Sequence, residues 1–160
     1  MRKIDKLLFE YGSSHQNDTN KLIHWICVPL IFFSIVALFW SIPHQFLSDT
    51  IPLEPNPLVN WATVALVFVL IYYLSLSFPL SVGMLLVAVI NLSICFLLEK
   101  YIPIPLWLIA VIIFFLSWVG QFYGHRIEGK KPSFFKDIQF LLIGPAWLMH
   151  FILKQLGIPY

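Results

Sequence analysis

The sequence predicts an all-α integral membrane protein with four transmembrane helices, an N-terminal amphipathic helix and a C-terminal interfacial or re-entrant helix. Three observations carry that expectation. The 160 residues are 59% hydrophobic and only 11% charged, against roughly 25% charged residues in a soluble domain. Four long apolar runs approach the ~20 residues that a helix needs to cross the hydrocarbon core. Nine of the ten Lys and Arg residues flank those runs, Arg2, Lys3, Lys6 and Lys21 before them and Arg126, Lys130, Lys131, Lys136 and Lys154 after them. Cationic flanks mark the cytoplasmic side, so both termini are expected there. An even number of spans agrees with that count.

The elements follow in order. Ile4, Leu7, Leu8 and Tyr11 recur at i, i+3, i+4 and i+7, so residues 1–11 read as an amphipathic helix resting on the anionic cytoplasmic surface. Gly12-Ser13-Ser14 ends it, and Asn17-Asp18-Thr19-Asn20 offers N-caps for the next helix. The spans are Ile26–Ser41, Leu58–Phe78, Leu80–Leu98 and Ile104–Phe122. The loop from Pro43 to Pro57 has no Lys or Arg and reads as external, while Pro79 makes the second and third spans a tight hairpin. Lys100, after the third span, is the exception to the charge pattern. Trp25, Trp40, Trp61, Trp107 and Trp118 fall near span ends, as in an aromatic belt. The fifth run, Ile138–Leu153, is interrupted by Gly144-Pro145. At about 24 Å it is short of the ~30 Å core, so it reads as a broken segment capping the cytoplasmic side. Residues 1–160 leave room for one membrane domain, and the polar, charged start shows no cleavable signal peptide.

Four of the five histidines lie just outside this core: His15 and His24 before the first long run, His125 and His150 after the last. Four spans would return them to one face of the bilayer, where they could build a single metal site. His15 and His24 are nine residues apart, on opposite faces of any continuous helix. The Gly/Ser and Asn/Asp breakers on either side of His15 let it fold back towards His24. Gln121, His125 and Glu128 fall at i, i+4 and i+7, one stripe on a helix leaving the membrane. Gly120 and Gly124 give that helix a small-xxx-small face for close approach of a neighbour.

Each of these features has a plainer reading. His24 alone would be a capping or interfacial histidine, His15 a solvated one, and the glycines a packing motif with a charged rim. His150 can join the others if the fifth run lies in the interface or re-enters and is excluded if the run spans, and its apolar neighbours also fit a packed core histidine. Cys27 and Cys95 lie in apolar runs without a CxxC pair and read as packing residues. No Ser/His/Asp context or phosphate-binding glycine loop is visible, nor a basic tract with interleaved aromatics, so nucleic acid is not an expected partner. Imidazole ligands suit iron, zinc, copper or nickel. The repeated histidine boxes of membrane di-iron enzymes are absent, so one mononuclear site is the most that five histidines support.

Tyr11-Gly12-Ser13-Ser14-His15, then Asn20, His24 and Pro29, and distally Trp118, Gln121-Phe122, Gly124-His125, Glu128 and Pro132 form a pattern that resembles the 2-hydroxy fatty acid dioxygenase family. That family includes a yeast endoplasmic-reticulum enzyme of phytosphingosine breakdown and bacterial relatives. The likeness covers nearly the whole chain. It implies Fe(II)-dependent α-oxidation, in which a 2-hydroxy fatty acid and O2 give a fatty acid one carbon shorter. It implies metal ligation by His15, His24 and His125, with His150 as a fourth ligand. Asn20, Gln121 and Glu128 become candidate catalytic positions, with Glu128 bonded to a ligand imidazole. Arg126, Lys130 and Lys131 would orient the carboxylate by charge. The setting would be a bacterial inner membrane or the endoplasmic reticulum, with lipid as partner. Two other classes stand beside this one: a zinc-dependent membrane lipid hydrolase or isomerase, and a non-enzymatic scaffold or haem carrier. The oligomeric state is not legible.

Overall fold

A computed structural model describes residues 2–50, 56–129 and 140–160. Every regular element among them is a helix: α1 (Lys3–Gly12), α2 (Asp18–Trp40), α3 (Gln45–Thr50), α4 (Trp61–Leu76), α5 (Phe78–Tyr101), α6 (Leu106–Ile127) and α7 (Ile143–Gln155). Three of them, α2, α5 and α6, are long and apolar enough to cross a membrane. At 22 to 24 residues they measure about 33–36 Å, longer than the ~30 Å core. The fourth apolar helix, α4, has 16 residues, about 24 Å. The bundle exterior is correspondingly oily, with Phe68, Ile71, Leu86, Phe115 and Leu116 all more than half exposed.

Local chemistry sets the helix ends. The Asn17 side chain accepts from the Thr19 and Asn20 N–H groups at 2.9 and 3.2 Å, so α2 starts well before the first apolar run. That early start carries Asn20 and His24 into the helix. Ser77 serves two helices: its N–H donates to the Tyr73 carbonyl at 2.9 Å, ending α4, and its Oγ accepts from Leu80 N–H at 3.4 Å, opening α5. The hairpin expected from Pro79 is therefore a one-residue joint, with Pro79 in the first turn, where the missing N–H costs no helical bond.

α2 is the hub, packing on α4, α5, α6 and α7. Its most extensive partner is α6, which runs antiparallel to it: Gly124 faces Asn20, and Gly120 faces Cys27. A Cβ on either glycine would lie 2.4 Å from Asn20 Oδ1 or 2.7 Å from Cys27 Sγ, so the small-xxx-small face is what lets these helices touch. At the opposite end of α2, Trp40 Nε1 donates to Glu99 Oε2 of α5 at 2.9 Å.

Three expectations need correcting. The apolar face of α1 does not lie open to lipid: Ile4, Leu8 and Tyr11 are buried, and the helix packs on α7. Gly144-Pro145 does not sit in the middle of a helix but in the first turn of α7, where proline is tolerated, and the helix continues from there to Gln155. Trp40 and Trp118 are buried rather than belted, because each has neighbours inside the bundle. Ile138 and Gln139, at the start of the predicted run, lie outside the described residues.

Candidate metal centre

Three pieces of chain meet at one end of the bundle. α2 carries His24 one turn beyond Asn20, and the His24 Nδ1–H donates to the Asn20 carbonyl at 2.9 Å. His15 sits in the turn after α1, where its N–H donates to the Gly12 carbonyl at 3.0 Å and its Nδ1–H to the Tyr11 carbonyl at 2.7 Å. α6 supplies His125 in its last turn. All three side chains are buried: His24 completely, His15 to 3% exposure and His125 to 5%. Ring centroids are 4.2 Å apart for His15 and His24, 5.0 Å for His24 and His125, and 5.4 Å for His15 and His125. One ligand atom from each of the three lies within 4.8 Å of the others.

The donor set fits a metal ion. A carbonyl oxygen only accepts, so Nδ1 of both His15 and His24 must carry the ring proton. That tautomer leaves the Nε2 lone pair of each imidazole for a metal, and backbone carbonyls are frequent outer partners of ligating histidines. The Nε2 atoms of His15, His24 and His125 are all buried. Three neutral nitrogen donors without a thiolate suit iron, zinc or copper.

Glu128, just past the end of α6, closes the centre. Its carboxylate accepts from the backbone N–H groups of Gln16 at 2.8 Å and Asn17 at 2.9 Å, and from Asn20 Nδ2 at 3.0 Å. It thereby ties the His15 turn and the start of α2 to the helix carrying His125. Desolvation alone would raise its pKa, but the three donors outweigh it and hold the carboxyl below its usual range. The expected bond from Glu128 to a ligand imidazole is not what forms. The carboxylate braces the backbone around His15 instead, because Gln16 and Asn17 present their N–H groups to it. Asn20 is likewise a positioning residue, bonded to Glu128 by its amide and to His24 by its carbonyl.

His150 is not part of the cluster. It lies on the α1 side of α7, in contact with the Tyr160 hydroxyl and lining a cavity with Asp5, Leu8, Phe9, Trp147 and Tyr160. α7 approaches the centre with Trp147 instead, whose ring is 5.5 Å from that of His15. Three residues of α-helix separate the two side chains by about 300°; seen from the axis they remain adjacent, and Trp147 occupies the inner position. Tyr11 completes the wall by stacking on His15 at 4.3 Å and 18°. The sequence reading missed Trp147. The available signal was a tryptophan one turn ahead of the suspected histidine in the run expected to cap the site. Gln121 is 6% exposed, one turn before His125, and lines a cavity of about 20 Å³ with Tyr11, Val28, Trp118 and Gly144 among its other walls. Arg126 is exposed, with no ion pair among the described residues. Lys130 and Lys131 lie outside the described residues.

A family model described as "2-hydroxy-palmitic acid dioxygenase Mpo1-like" matches residues 1–156, which takes in all three cluster histidines. The chain belongs to the Mpo1-like family. No curated protein and no solved structure matches it. The family description makes an oxygenase acting on lipid the expected class for this Mpo1-like chain, and the three buried histidines are placed where they could hold a metal ion.

Proposed function

We propose that this protein is an Fe(II)-dependent dioxygenase that shortens 2-hydroxy fatty acids by one carbon. The observation that carries the reading is the convergence of His15, His24 and His125 with their ligand atoms within 4.8 Å. Ferrous iron held there would supply the one-electron chemistry that O2 requires. The atoms balance with one O2 per substrate: the acid R–CH(OH)–COOH gives R–COOH, carbon dioxide and water. The protein's own part is positioning. Glu128 and Asn20 hold the two N-terminal histidines against α6. Tyr11 and Trp147 shield the imidazoles from water. Arg126, with Lys130 and Lys131 close by in sequence, supplies positive charge for the carboxylate, and the acyl chain follows the apolar bundle into lipid.

The same reading sets the topology as one membrane domain with four spans, α2, α4, α5 and α6. Both termini are then on the cytoplasmic side of a bacterial inner membrane or of the endoplasmic reticulum. Anaerobically purified protein is expected to hold near-stoichiometric iron and to convert 2-hydroxypalmitate and O2 into the acid one carbon shorter. Zinc in place of iron would favour a hydrolase or isomerase. Protein without metal, or with haem, would favour a scaffold or carrier.

A further inference from the structure

Among the described residues, Gln121 is the buried amide beside the centre that the histidine bracing does not use. It is 6% exposed, and its side chain makes no hydrogen bond to another described residue. The amide lines a cavity of about 20 Å³ whose walls are otherwise mostly apolar, Val28, Ile31, Phe140 and Leu141 among them. Three of the lining residues touch the centre or lie one turn from it: Tyr11 stacks on His15, Val28 follows His24 by four residues, and Gln121 precedes His125 by four. A space of that size holds one water-sized group, too little for an acyl chain or a lipid headgroup.

We propose that Gln121 is a specificity-determining residue whose side-chain amide hydrogen-bonds the substrate's 2-hydroxyl in this cavity. The inference rests on the function proposed above. A hydroxyl is the size of the cavity, and it is what separates a 2-hydroxy acid from the parent fatty acid. The amide offers an acceptor for the hydroxyl proton and a donor for its oxygen. A site built to bond a hydroxyl rejects the analogue that lacks it, because the buried amide is then left unpaired, whereas an apolar wall discriminates poorly.

The test compares dissociation constants of 2-hydroxypalmitate and palmitate for the iron-loaded full chain in detergent under argon, where no turnover occurs. Wild type and Gln121→Leu are measured side by side. The metal contributes equally to both proteins, so the change in the ratio of the two constants reports residue 121 alone. Gln121→Leu is expected to bind 2-hydroxypalmitate about 10-fold more weakly and palmitate no more weakly, which collapses the preference. Equal iron content certifies the variant; if Gln121→Leu loses iron, Gln121→Met takes its place. A ratio unchanged in an iron-replete variant overturns the role of Gln121 and leaves the proposed function standing. A wild type that neither prefers nor consumes the 2-hydroxy acid overturns both.

Discussion

Gly124→Ala places a methyl group where α2 and α6 meet beside the histidines. The added Cβ would lie 2.4 Å from Asn20 Oδ1 and 3.4 Å from both Asn20 Cγ and Ile23 Cγ2. Relief of the shortest approach to an ordinary contact needs a movement of about 1 Å. Asn20 cannot simply swing away, since it is fully buried, its Nδ2 donates to Glu128 and its backbone carbonyl accepts a hydrogen bond from His24 Nδ1–H. The strain must therefore part the two helices or break the bond to Glu128. Overpacking of this kind costs about 1–3 kcal/mol, which lowers the unfolding temperature by about 2–12 °C in a chain of this length. A 1 Å displacement at a reacting centre costs ~100-fold in rate, so turnover should fall further than stability. Gly83→Ala is the control: its Cβ would meet Met149 Sδ at 2.6 Å, but a methionine side chain adapts. Iron content, turnover and thermal unfolding in detergent read the outcome. A Gly124→Ala protein with wild-type iron and turnover would refute the argument that this helix contact sets the geometry of the centre.

Alanine at His15, His24 or His125 should remove the bound metal while His150→Ala keeps it, as read by metal stoichiometry; equal loss from His150→Ala would place that residue in the centre after all. Glu128→Gln turns one accepting oxygen into a donor facing the N–H groups of the His15 turn, so amide exchange at Gln16 and Asn17 should quicken and iron affinity fall. Because the folded pKa of Glu128 is depressed below its ordinary 4.5, the clamp is fully present above that pH and lost as pH falls through the lower folded value. Protection of Gln16 and Asn17 in metal-free protein should follow that course, and protection independent of acid would contradict it. Tyr73→Phe removes a 2.6 Å bond from the tyrosine hydroxyl to the Leu142 carbonyl, just before α7. About 1–3 kcal/mol of stability should be lost, with faster exchange in α7 and iron retained.

Much of this centre is legible from residue spacing alone. Gly12-Ser13-Ser14 and Asn17 break the chain on both sides of His15, and the fold-back they permit brings His15 against His24. The glycines at 120 and 124 announce the close pairing of α6 with a neighbour, though not which one. Hydropathy marks where a helix can lie in lipid and says little about polar caps. That is why α2 starts eight residues ahead of the apolar run and carries Asn20 and His24 with it. The Gly-Pro pair misled because proline has two compatible positions relative to a helix, an interruption or a first turn, and periodicity does not separate them. The swap of His150 for Trp147 has a similar cause. Which face of a terminal helix turns inward depends on its partner, and α1 packs against α7 from 130 residues away. Glu128 is recognisable as a polar residue on the histidine stripe, but its partners are backbone groups, which leave no mark in a sequence.

The three cluster histidines also have birth dates. His15 and His24 emerge from the ribosome early, while His125 follows His24 by 101 residues, or roughly 5–20 s of synthesis. Until then the nascent chain offers two imidazoles, an incomplete nest for an ion, and the carboxylate that clamps the His15 turn has not yet been made. With the function proposed above, metal capture would thereby be deferred until α6 has threaded beside α2. On that reading, a truncated or misinserted chain that never brings Gly124 against Asn20 would acquire no cofactor, and loading itself would report that assembly is complete.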